Sequence, residues 1–201
     1  MTSANPLPVL GVDTSATSTG VVVLSHELKV LYASAITPAG TGAERLRSIY
    51  MALDGIARAY GEFAVVVREG YAVGATNRPY LLGEVSGIAQ VALLPHTDRL
   101  TECAPKALKK FFTGNACADK KAMMLAADAR HGFKTTIDDV ADAYALARVA
   151  ACLAGYLRPT ERAALEVIRV IEANDRGEEP AKPAKAPVRR RASVSAFELE
   201  L

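Results

Sequence analysis

Four carboxylates in this chain sit where an apolar run ends or a helix begins, rather than on a solvated face. Asp13 ends the run 8–13 and is followed by a Thr/Ser/Gly-rich turn, and Glu69 ends a second run, 63–69. Asp139 and Asp142 lie three apart, which places both on one face of a helix. If the two runs are neighbouring strands and the helix crosses their ends, all four carboxylates converge. At about 4 to 5 Å and an effective dielectric near 20, each ionised pair would repel by roughly 3 to 4 kcal/mol. Several such pairs would rival the whole stability of a domain, about 5 to 15 kcal/mol. Only protons or cations make such a cluster tolerable. Its donors are all oxygen, with no cysteine or histidine at ligand spacing, which suits a hard divalent cation, Mg2+ or Mn2+. Two such ions roughly 3.5 to 4 Å apart can activate water on one side of a phosphodiester and stabilise the leaving oxygen on the other. That chemistry is phosphodiester hydrolysis. Taken one at a time, the acids also have ordinary accounts: Asp13 as a turn former, Glu69 as a strand-end charge, Asp139 and Asp142 as acids favoured by a helix N-terminus.

A basic segment accompanies the acids. From Lys106 to Lys134 there are seven basic residues (Lys106, Lys109, Lys110, Lys120, Lys121, Arg130, Lys134) against two acidic ones, Asp119 and Asp128, although residues 1–176 as a whole carry 19 Lys+Arg against 18 Asp+Glu. Net charge therefore points to no partner, and the clustering does. Lysine near a phosphate can hold it or offset the charge that builds in a transition state; the competing account is a solvated helix face.

The elements that must position these groups follow from periodicity. Residues 8–13, 20–24 and 28–36, with short gaps between them, predict an antiparallel meander of three strands. Thr41 and Glu44 form a capping box before a helix whose apolar positions run from Leu46 to Tyr60, and this helix crosses over to the strand that ends at Glu69. Pro79 opens a helix over 80–94 that is apolar on most faces and is expected at a buried or subunit-interface position. A short strand at 99–103, two basic helices (105–112 and 119–131), a long apolar helix over 138–157 and an amphipathic one from Pro159 to Asn174 complete the domain.

A chain of 201 residues, half of them hydrophobic, supports one sizeable core. Cys103, Cys117 and Cys152 are odd in number, with no C-x-x-C pair and no histidine at zinc-ligand spacing, so neither a disulfide framework nor a structural zinc site is indicated. No apolar run reaches the roughly 18 residues of a membrane span and no signal segment is recognisable, so the expectation is a cytoplasmic protein without membrane contact. From Gly177 onward Pro, Ala, Lys and Arg dominate, so 177–201 is expected to be a disordered basic tail.

The strings Leu10-Gly11-Val12-Asp13-Thr14-Ser15 with Thr19-Gly20, Val65-Val66-Val67-Arg68-Glu69, and Asp139-Val140-Ala141-Asp142-Ala143-Tyr144 resemble the RuvC family of Holliday-junction resolvases. So do Leu82-Gly83 with Gly87, and Thr113-Gly114 followed six residues later by Lys120. The resemblance spans residues 9–151 in the family's order. It implies an α/β, ribonuclease-H-like fold, a mixed five-stranded sheet with helices on both faces, over a nuclease domain at 1–176. It also implies two bound Mg2+ ions, a homodimer, and nicking of four-way junctions or related flaps and forks. By position, Asp13, Glu69, Asp139 and Asp142 match the catalytic, metal-binding acids, with Asp138 a competitor for the place of Asp139. Lys109 and Lys120 match the family's functional basic positions; Lys106, Lys110 and Lys121 are further DNA-binding candidates. Tyr71 lies in the loop where the family places a base-stacking aromatic, although Ala72 occupies the matching register, and Arg78 beside it is a candidate phosphate contact.

Two other readings compete. Asp followed by a Thr/Ser/Gly turn also ends the first strand of actin-like ATPases and sugar kinases, but residues 97–176 show no second phosphate loop and no adenosine-binding Gly-rich segment. An inactive branched-DNA-binding scaffold is the other, and the presence of all four acids speaks against it.

Overall fold

A computed structural model describes residues 6–15, 17–70 and 79–178. β1 (Val9–Thr14), β2 (Thr19–Leu24) and β3 (Val30–Ile36) form the antiparallel meander, and α1 (Gly42–Tyr60) crosses to β4 (Val65–Glu69), which pairs with β1 in parallel. After α2 (Pro79–Leu93) and a short 3-10 turn (Leu94–His96), β5 (Leu100–Cys103) joins β4 in parallel. The strand order is β3-β2-β1-β4-β5. The remaining helices are α3 (Pro105–Thr113), α4 (Lys120–His131), α5 (Asp138–Leu153) and α6 (Arg162–Asp175).

The central strands are apolar on both faces because helices cover both. Leu10, Val12, Val21, Val23 and Val66 pack with α1 and α2, while Val9, Val22, Leu24, Val65 and Val67 pack beneath α3 to α6. Strand alternation therefore sends Asp13 and Glu69, in step with Val9 and Val65, to the α5 side. There α5 lies against the sheet backbone to backbone. A Cβ at Gly11 would collide with the main chain of Ala143 and Ala147, and one at Gly20 with the main chain of Asp139.

The structure revises three local expectations. Thr41 is the extended N-cap of α1, but its side chain makes no capping bond, and the Glu44 side chain lies against Gly40. Helix α5 stops at Leu153 and not at residue 157: Gly155 takes φ 78, its N–H bonds Cys152 O, and Tyr156 N–H bonds Ala151 O, a Schellman closure. Asp119 caps α4 by accepting from Ala122 N at 2.8 Å, so the helix proper begins at Lys120.

Candidate active site

Register brings the strand-end acids together. Val12 pairs with Arg68 across β1 and β4, so the next step along both strands sets Asp13 beside Glu69. Across the other edge of β1, Asp13 pairs with Gly20, over which the first turn of α5 carries Asp139. Asp142 follows one turn on. All four carboxylates line a single cleft of about 280 Å3, together with Lys120, Ser86 and the Thr14–Ser15 turn. The turn is fixed by Ser15, whose Oγ accepts from Ser18 N at 3.0 Å.

The electrostatics are those of crowded, dehydrated acids. Asp13 is 6 % exposed, and burial, then the charges of Glu69 and Asp142, hold its carboxyl well above the usual range. Its interaction with the Glu69 carboxyl raises Asp13 and lowers Glu69. Burial raises Glu69 too, against the opposing effects of that interaction and of Lys109. Asp142 is pushed up to about 7 by burial and the charge of Glu69, again opposed by Lys109. Its Oδ1 is buried and accepts no hydrogen bond. An orphaned carboxylate oxygen of this kind calls for an unrepresented partner.

Among the described residues, no group of three or more His, Cys, Asp or Glu encloses a metal ion by itself. The acids instead line an open cleft and offer only oxygen donors, and the orphaned Asp142 oxygen suits a hard cation.

The other candidate residues separate by place. Lys120 lines the cleft and forms an ion pair with Asp138, which raises the lysine and lowers the aspartate. That pairing occupies Asp138, and Asp139 is the one that faces the cleft. Lys109 acts electrostatically on Glu69 and Asp142. Lys110 points to α6, where it pairs with Glu166 at 2.6 Å, and Lys121 lines a separate groove with Leu125 and Lys134. Lys106 is exposed in the first turn of α3. Tyr71 and Arg78 lie outside the described residues. Sequence reasoning overlooked Arg68 and Ser86, which bond to each other beneath Glu69; a lone arginine inside an otherwise apolar strand was the available signal.

The family model for crossover junction endodeoxyribonuclease RuvC matches residues 9–150. A protein of that name from Alkaliphilus oremlandii is 30% identical over 152 residues, covering 69% of this chain and 89% of the relative. One from Anaeromyxobacter sp. is 28% identical over 197 residues, 94% of this chain and 93% of the relative. Among solved structures, Thermus thermophilus RuvC in complex with a Holliday junction substrate superposes with a TM-score of 0.64 at 20% identity, covering 76% of this chain and 99% of that one. A second Thermus thermophilus RuvC structure gives 0.59 at 22% identity, over 70% of this chain and 91% of that one. The strand order, the acids at the ends of β1 and β4 and the match over residues 9–150 agree, and the chain belongs to the RuvC family of crossover junction endodeoxyribonucleases.

Proposed function

We infer that this chain is a metal-dependent endonuclease that hydrolyses the backbone of branched DNA at four-way junctions, with Asp13, Glu69, Asp139 and Asp142 as the catalytic, metal-holding acids. The observation that carries this reading is the convergence of those four carboxylates in one cleft, with an oxygen of Asp142 buried and unpartnered. Two Mg2+ ions, or Mn2+ in their place, would supply Lewis acidity toward the phosphodiester and a nucleophilic water at neutral pH. Burial and mutual repulsion raise the proton affinity of Asp13 and Asp142, and bound cations would offset that repulsion. Lys120, paired with Asp138 at the cleft, is placed to exchange that carboxylate for the scissile phosphate and to offset charge at the departing oxygen. Lys109 restrains the combined negative charge of Glu69 and Asp142 and favours approach of the polyanionic substrate. Family membership removes the nucleotide-binding alternative, and the set of four acids favours an enzyme over a scaffold.

The functional unit we propose is a homodimer paired through α2. Tyr80, Glu84, Gly87 and Val91 follow one another at helical spacing along the side of α2 turned from the sheet; Tyr80 is 66% and Val91 60% exposed, and a Cβ at Gly87 would meet nothing within 4 Å. Such a stripe suits close approach by a second helix, and a two-fold dimer presents two clefts to two strands of a junction. The nuclease domain is residues 1–176, with 177–201 a basic arm. No described helix is long and apolar enough to cross a membrane. Labelled four-way junctions, flaps and linear duplex incubated with Mg2+, Mn2+ or chelator test the reading: metal-dependent, symmetric nicking of the junction is expected, and junction cutting in chelator or none under any condition would refute it.

A further inference from the structure

The buried side of the catalytic strand carries a group that a stable core does not require. Arg68, on β4, is 1 % exposed, and its guanidinium reaches Ser86 of α2. Taking a guanidinium out of water is expensive, and an apolar side chain of similar volume at such a place is often neutral or stabilising. Stability alone therefore gives no reason for arginine among Val65, Val66 and Val67.

Its partners supply one. Nη1 donates to Ser86 Oγ of α2 at 2.6 Å and to the main-chain carbonyl of Glu69 at 3.1 Å, and Nη2 pairs with Glu102 of β5. The amide on the other side of that same peptide bond, Gly70 N–H, donates to Cys103 O at 2.9 Å. The Glu69–Gly70 peptide is thus held at both its polar atoms, just where the chain leaves the sheet. Fixing that plane restrains the backbone at Glu69 and with it the direction in which the Cα–Cβ bond leaves toward the cleft. Glu102 also closes the space beneath Gly70, where a Cβ would come within 3.1 Å of its Oε2.

We propose that Arg68 is a positioning residue that clamps the Glu69–Gly70 peptide to α2 and β5 and so aims Glu69 into the cleft. The proposal rests on Glu69 being one of the metal-holding acids. Because Ser86 belongs to the proposed pairing helix, the same clamp ties the seating of α2 to the geometry of the site.

The test uses the full chain with Arg68→Met, Arg68→Lys, Ser86→Ala and, as a control on the site itself, Glu69→Gln. Mn2+ binding to the free protein is followed by electron paramagnetic resonance, junction affinity is measured in chelator, and kcat and KM are taken at saturating metal. Arg68→Met should weaken Mn2+ binding about 5- to 10-fold and lower kcat about 10-fold or more, with KM and chelator affinity within about twofold of wild type. Arg68→Lys should recover part of the loss, and Ser86→Ala should show about a threefold effect in the same direction. Wild-type Mn2+ binding and kcat in Arg68→Met overturn the clamp. If that variant does not fold, an unchanged Ser86→Ala overturns it. Wild-type cleavage by Glu69→Gln would instead overturn the site reading beneath it.

Discussion

Replacing Asp142 by Asn should stabilise the metal-free protein while abolishing cleavage, because the wild-type carboxylate is held in a place that disfavours its charge. Its carboxyl rises from an ordinary value of 3.8 to about 7, with burial as the main cause. At about 1.4 kcal/mol for each tenfold shift in proton affinity, the charged form is disfavoured by roughly 4 kcal/mol as a ceiling. The folded state keeps the proton that the unfolded chain releases near pH 3.8, so ionisation works against folding as the pH climbs from about 4 to about 7. Asparagine has a similar shape and no charge. Urea unfolding in chelator should therefore find the two proteins alike near pH 4, and the variant more stable by about 2 to 4 kcal/mol near pH 8. Added Mn2+ should reverse the order by stabilising wild type in proportion to occupancy and leaving the variant unmoved. A variant no more stable than wild type near pH 8 in chelator, or one stabilised equally by Mn2+, would refute the argument that Asp142 is an unneutralised metal-holding acid.

The cleft offers further tests. Gly20→Ala should force the first turn of α5 away from β2 and lower kcat by about 100-fold, with a smaller loss of junction affinity, because misplacement of about 1 Å is that costly at a reacting centre; cleavage near the wild-type rate would mean that the helix tolerates the shift. Lys120→Ala should depress the chemical step more than binding, whereas Lys110→Ala, which breaks an exposed pair with Glu166, should change stability by less than about 1 kcal/mol and leave kcat alone; single-turnover rates and denaturation curves separate the two. Light scattering should find wild type at twice 21.3 kDa and Gly87→Arg at or near 21.3 kDa yet folded; a wild-type monomer at micromolar concentration removes the α2 dimer. Deleting residues 179–201 should preserve folding and cutting while flattening the salt dependence of DNA binding, since Lys182 to Arg191 hold five basic residues and no acid; a large drop in Tm would assign the segment a structural role.

Much of this was legible in the residues because local rules and the global fold agree. Runs that end on Asp13 and Glu69 announce strands delivering acids to one end of the sheet, and the three-residue spacing of Asp139 and Asp142 announces a helical face. What sequence could not convey was depth. Spacing from Gly114 singles out Lys120 through the family resemblance, but charge alone does not show that Lys110 turns to Glu166 and Lys120 to the cleft, since packing supplies those neighbours. The capping box is a second case: Thr41 and Glu44 have the right spacing and Thr41 is the N-cap, yet its side chain makes no capping bond. Arg68 was visible as an anomaly and remained silent until its partners were in place.

The contact of α5 with Gly11 and Gly20 has a consequence for how the site can be tuned. At those two positions main chain rests on main chain, and no side chain stands between helix and strand to be repacked. The opening between the strand acids and the helix acids is a fixed aperture, calibrated by atomic radii that no substitution at those two positions can reduce. If Asp13, Asp139 and Asp142 hold cations as proposed, exchanging Asp for Glu at 13, 139 or 142 would narrow that opening, whereas α5 has nowhere closer to go at Gly11 and Gly20.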